Sequence, residues 1–274
     1  MKKITAVVFV IITLFFQGYT GKANAADLGI GIISYYAWWE PAIRDEYDNF
    51  ETEPLLMYGP VLSFTFFEKF TLTGVFLKNP EDMSEVSFDM NFTGSNGPGS
   101  ISLSGTTDRG DMDISLSYAL SENINIFLGY KWLEYAFRGD FEVTSGSYSM
   151  PSITDADLAH STWGPACGLS FSLAVNDKIS SNLGISILYA ESSDDYKYCE
   201  EYTPGNIDVR GVKVKSDCYG FNTTLNFSYY LESIDTVLSL GGRFQYLTYR
   251  NISGDFELAD DYFYGLTLSA MYYF

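Results

Sequence analysis

Along much of the chain, apolar and small or polar residues alternate with a period of two. In the last thirteen residues the even positions hold Tyr262, Tyr264, Leu266, Leu268, Ala270, Tyr272 and Phe274, while Gly265, Thr267 and Ser269 stand between them. A period of two is the signature of a β-strand with two unlike faces. Trp163 to Val175 repeats it, with Cys167, Leu169, Phe171 and Leu173 opposite the small residues Gly164, Ala166, Gly168, Ser170, Ser172 and Ala174. Tyr219 to Leu231 and Tyr58 to Phe66 follow the same rule, and four segments open on an aromatic–glycine pair: Tyr58-Gly59, Trp163-Gly164, Tyr219-Gly220 and Tyr264-Gly265. The apolar face starts and ends in aromatics. That pattern suits a strand of about 9–11 residues crossing a bilayer at a tilt, with its rings at the two interfaces.

Short polar turns follow these segments at Glu68-Lys69, Ser121-Glu122-Asn123, Asn176-Asp177-Lys178 and Glu232-Ser233. Their centres recur every 54–56 residues or so, a hairpin repeat. The next strands begin at once, over Phe70–Lys78, Ile124–Phe137, Ile179–Ala190 and Thr236–Tyr249. The opposite connections, Glu40–Pro54, Arg138–His160, Glu191–Asp217 and Arg250–Asp261, read as long acidic loops. Together with a first strand at Leu28–Trp39, the expectation is an all-β, antiparallel up-and-down barrel of about ten strands. Residues 79–110 read as a tall extension of the third and fourth strands. The alternative makes them two further membrane strands, giving twelve.

The first 25 residues form a separate unit. Lys2 and Lys3 precede an apolar run from Thr5 to Phe16, and Ala23-Asn24-Ala25 fits a cleavage site. This pattern is a secretory signal peptide, leaving 26–274 as one barrel domain. No later run is long and apolar enough for a membrane helix. With Lys+Arg 16 against Asp+Glu 35, the net charge is −19, which argues against nucleic-acid binding. Aromatics at 17% argue against a disordered acidic chain.

The exported chain, the alternating strands and the terminal Phe274 after Tyr272, Ala270 and Leu268 resemble a Gram-negative outer-membrane β-barrel protein. The resemblance implies location in that membrane, lipid and lipopolysaccharide as surroundings, and an assembly machinery that reads Tyr272 and Phe274 as an insertion signal. A monomer is the expected state.

Charges on the lumen face are few: Asp113, Lys131 and Arg243, with Arg109 and Asp111 continuing the same face. A charge in a half-dry lumen needs a partner. These residues form either an ion-pair brace or a charge-selective constriction. Ten strands at about 4.8 Å close at a backbone radius of about 10 Å, which side chains can fill or leave as a narrow path. Two functions therefore stand open: a narrow passive channel for small hydrophilic or cationic solutes, and a filled barrel with a surface-structural or adhesive role. A third, a rim protease like the omptins, would have to use His160 near Asp155 and Asp157. Isolated in an acidic stretch, His160 reads as surface decoration, so no enzyme is expected.

Cys199 and Cys218 flank the tip of one long loop, and an exported protein can pair them or keep them as thiols. Cys167 falls on the lipid face. No cofactor motif occurs, and no metal site is assigned. The acidic clusters Asp45, Glu46 and Asp48, Asp194 and Asp195, Glu200 and Glu201, and Asp260 and Asp261 form a solvated repulsive surface or loosely bind divalent cations. Arg109-Gly110-Asp111 and Arg138-Gly139-Asp140 spell an adhesion-type tripeptide, which also arises by chance.

Overall fold

A computed structural model describes residues 27–41, 48–52, 54–80, 85–94, 97–145, 152–203, 206–251 and 259–274. The leader over 1–25 and the acidic pair Asp45-Glu46 lie outside these residues. Among the described residues twelve strands are present: β1 (Asp27–Glu40), β2 (Asp48–Thr52), β3 (Leu55–Phe66), β4 (Phe70–Lys78), β5 (Glu85–Gly94), β6 (Gly97–Ala119), β7 (Ile124–Ser145), β8 (Ser152–Ala174), β9 (Ile179–Thr203), β10 (Asn206–Leu231), β11 (Thr236–Asn251) and β12 (Ala259–Tyr273). Ten of them form a closed antiparallel wall in the order β1-β3-β4-β6-β7-β8-β9-β10-β11-β12, sealed by the pairing of β12 with β1. β5 and β2 are not wall strands. β4 pairs with β6 from Gly110 to Tyr118, and β5 takes over from Gly97 to Thr106, with β2 on its outer side. Residues 79–110 thus form the tall extension, and the twelve-strand alternative falls.

Neighbouring strands join at one end through turns of a few residues. The Phe67–Lys69 turn holds Phe67 and Glu68 at φ 51° and 59°, the left-handed pair that matches the twist of a tight hairpin. At the next turn but one, the Asn176 side-chain oxygen accepts from the backbone N–H of Lys178 (2.9 Å) and Ile179 (2.8 Å). Both ends of the described chain lie here as well: the Phe274 N–H donates to the Leu28 carbonyl at 2.9 Å.

The outer wall exposes Ile32, Leu128, Leu240, Leu266 and Leu268, each more than half accessible. Rings border this band. On β12, Tyr264 and Tyr272 are eight residues apart, about 26 Å along the strand and ~20 Å along the barrel axis at a tilt of ~40°. Trp38 stacks on Tyr264 at the upper border, and Tyr272 meets Phe274 edge-on at the lower one. The glycines of the aromatic–glycine pairs stand where neighbouring strands crowd: a Cβ on Gly59 would run into the Phe76 carbonyl oxygen, and one on Gly265 into that of Tyr36.

At the tall end the strands run further than their hydrophobic pattern indicates. Arg138–His160 and Glu191–Asp217 are not loops: β7 runs on to Ser145, β8 starts at Ser152, and β9 and β10 stay paired from Ala190–Cys218 up to Thr203–Asn206. Above the apolar band neither face has to be hydrophobic, so the ladder continues without the pattern that marks it below.

Candidate functional site

The core of this barrel is its lumen. Every wall strand sends at least one buried residue inward at the same level, among them Tyr35 of β1, Met57 of β3, Leu77 of β4, Leu133 of β7, Leu247 of β11 and Phe263 of β12. These six are no more than 1% accessible. The polar groups of the level form one network. Lys131 and Asp113 face each other across β6 and β7, and the ammonium meets both carboxylate oxygens at 3.0 and 3.2 Å. Lys131 also lies 3.7 Å from Asp111, which accepts from Nε of Arg109 at 3.3 Å. From β11, the Arg243 guanidinium reaches the second oxygen of Asp113 at 3.3 Å, and it also donates to Gln245 (3.0 Å) and Asn222 (2.9 Å). In a ten-strand ring β6 and β11 stand five steps apart either way. The Arg243–Asp113 pair therefore spans the barrel's full diameter.

Arg109 is the largest fully buried side chain among the described residues. Its guanidinium lies 3.8 Å over the Phe263 ring and 5.2 Å from the centre of Trp39, so much of its charge is met by ring faces. All five sequence-chosen charges, Arg109, Asp111, Asp113, Lys131 and Arg243, thus come together. A sixth was assigned to an acidic loop and belongs here: Asp261 points inward, is fully buried and accepts from the Trp39 indole N–H at 3.1 Å. Three cations and three carboxylates then balance, as charges removed from water must. The tripeptide Arg109-Gly110-Asp111 is part of this interior and cannot be presented to a receptor.

Below the network the lumen is lined by hydroxyls and amides, paired as Thr65–Thr71, Asn182–Ser172 and Ser228–Ser239. A cavity of about 170 Å³ adjoins Asp113, Lys131 and Arg243 and is large enough to hold water. Asp113 is about a third exposed, whereas Asp111 one step up the strand face is sealed.

Above the network lies a second polar layer. His160 is not surface decoration: it faces inward on β8 and is 4% accessible. Its Nδ1 meets Asp194 at 2.6 Å, its Nε2 meets the Thr162 hydroxyl at 2.7 Å, and its ring stacks on Tyr135 with Tyr249 edge-on. Its partner is Asp194, from the assigned acidic surface; the side chains of Asp155 and Asp157 lie outside the described residues. Hydroxyl, imidazole and carboxylate in line resemble a nucleophile, base and orienting acid. Thr162 is 2% accessible and the imidazole is enclosed by the two tyrosine rings.

Of the two states open to Cys199 and Cys218, the geometry favours thiols. Cys218 is a free, buried thiol in the lumen core. Its partner across the β9–β10 ladder is Ala190, whereas Cys199 pairs with Val209. Nine residues of strand, about 30 Å, separate the two cysteines, far beyond the ~7 Å a disulfide tolerates. The Cys199 side chain itself lies outside the described residues. Among the described residues no cluster of three or more His, Cys, Asp or Glu could hold a metal ion.

No family model matches this sequence, and a comparison with curated proteins finds no match. Among solved structures, the chain is similar to the outer membrane protease OmpT from Escherichia coli, at 11% identity over 92% of this chain and 98% of that one, with a TM-score of 0.55. The Ralstonia pickettii toluene transporter TbuX (9% identity, 93% and 90% covered, TM-score 0.36) and the attachment invasion locus protein Ail of Yersinia pestis (11%, 92% and 100%, 0.32) superpose too loosely to weigh. In fold, the chain is a closed ten-strand antiparallel β-barrel similar to that of OmpT.

Proposed function

We propose that this chain is a closed barrel of the outer membrane that passes no solute and acts through its tall end, as a surface-structural or adhesive protein. Its short turns and both ends of the mature chain face the periplasm. The observation that carries this reading is the bridge between Arg243 and Asp113 across the lumen, inside a level where wall strands all round contribute buried side chains. A channel of this width needs its charges in water. Here Arg109 and Asp111 are sealed from it. The protease alternative needs a His–Asp pair open to a peptide, and His160 is enclosed. What remains available is the paired β-structure above the apolar band, built from β2, β5 and the upper parts of β6 to β10.

The test is current through planar bilayers. Protein verified as folded by its shifted mobility on an unboiled gel should give no unitary steps. A reproducible unitary conductance from that preparation refutes the closed barrel and returns the chain to the channel class.

A further inference from the structure

On the outer wall, between two rows of apolar side chains, lies a concave groove of about 630 Å³. The upper bank follows one row of cross-strand partners from Leu116 through Leu128 and Cys167 to Ile187, on β6, β7, β8 and β9. The lower bank starts with Phe70 and Tyr118 at the short-turn rim and ends at Ile185. The strand backbone between the rows makes the floor, and Cys167 is the smallest side chain of the upper bank, widening the channel at its middle.

We propose that this groove seats one acyl chain of a phospholipid from the leaflet at the short-turn end. From β4 to β9 it crosses four inter-strand steps of about 4.8 Å, so it is about 19 Å long. Rows of partners run perpendicular to strands tilted by ~40°, so it climbs about 12 Å, close to the ~15 Å depth of one leaflet's hydrocarbon. The groove begins at the rim where a headgroup would sit and ends near mid-membrane, and it is continuous with the lipid-facing wall. A slot one row wide offers far less than the ~800 Å² per partner of a stable dimer, which disfavours a second copy. At the rim Lys69 adjoins Glu68, so the local charge cancels and chain fit, rather than headgroup charge, decides retention. Lipid tails are as apolar as the wall, so the preference comes from packing contacts along the groove.

Native mass spectrometry of the folded, full mature chain, released from detergent with defined phospholipid, tests this. Dipalmitoyl phosphatidylglycerol and dipalmitoyl phosphatidylcholine should each be retained as a single adduct to a similar extent, and a dilauroyl lipid several-fold less. Cys167→Trp fills the middle of the groove and should lower the adduct at least fivefold, while Leu240→Trp on another part of the wall should leave it unchanged. Correct folding of both variants is read from gel mobility. Equal retention by Cys167→Trp, equal losses in the two variants, or a strong preference for one headgroup each overturn the proposal. So does a dimer peak abolished by Cys167→Trp, which would assign the groove to a second copy.

Discussion

Arg109→Met is the sharpest probe of the filled lumen. Methionine keeps much of the length and volume of the arginine stem but removes the guanidinium from between Asp111, Phe263 and Trp39. Breaking a buried ion pair from one side costs about 3–5 kcal/mol, because the other charge stays buried. Asp111 retains Lys131 at 3.7 Å, which favours the lower end, about 3 kcal/mol. Loss of the desolvated ring contacts adds up to ~2 kcal/mol. Arg109 also acts electrostatically on Asp261, so that carboxylate is left less compensated. The assay is urea unfolding in detergent, followed by tryptophan emission, with Trp39 buried against the guanidinium. The double variant Arg109→Met with Asp111→Leu removes both members and should regain at least ~2 kcal/mol of the loss, since replacing a buried pair by apolar groups is often near neutral. If the single variant costs under ~1 kcal/mol, or the double is no more stable than the single, the balanced dry network is the wrong description.

Three further outcomes are expected. Glu68→Gly relieves a left-handed residue in the Phe67–Lys69 turn and should stabilise the barrel by about 1 kcal/mol; an unchanged or lower urea midpoint would mean that the turn is not strained. Deleting Phe274, whose N–H ties the last strand to Leu28, should lower the amount of protein in the outer membrane without altering its synthesis, and equal levels would dismiss the C-terminal aromatic as an assembly signal. A non-reducing peptide map should find Cys199 and Cys218 unlinked, and a maleimide should label Cys218 only after unfolding; a Cys199–Cys218 peptide would break the β9–β10 register.

Strand facing was legible because period two assigns every residue to one side of the wall, and that alone placed Asp113, Lys131 and Arg243 in the lumen. The same parity also held the signals that were passed over. Asp261 shares its face with Phe263 and Gly265, His160 with Thr162, and Asp194 with Ser192, so each points inward once the strand is taken beyond its apolar stretch. The apolar pattern stops at the end of the outer apolar band, while the ladder does not, so polar residues past that point read as loops. The cysteine pair failed for a related reason. Flanking a hairpin tip is not enough, because a regular ladder joins only residues equidistant from it, and Cys199 lies closer to the tip than Cys218. The filled lumen depends on how far Arg109 and Arg243 reach across the barrel, a property of side-chain length against diameter that no pattern along one strand contains.

A ten-strand wall is a poor base for a tall sheet unless something resists its flattening into an ellipse, because strand hydrogen bonds fix neighbour spacing but not cross-sectional shape. Contacts across the lumen supply that resistance, and here they are directional. Arg243 meets Asp113 from the opposite wall, Arg109 crosses from β6 to rings on β12 and β1, and His160 on β8 packs between rings from β7 and β11. An apolar filling of equal volume would exclude water as well, yet tolerate many small shifts of one wall against the other. Salt bridges and ring contacts tolerate few, since each displaced charge is left without its partner in a dry interior. The network costs desolvation and returns a single cross-section, which passes up the continuous strands β6 to β10 to the structure that they carry above the membrane band. On this argument the charges in the lumen and the height of the sheet are parts of one design, and loosening the first should be felt as disorder at the top of the second.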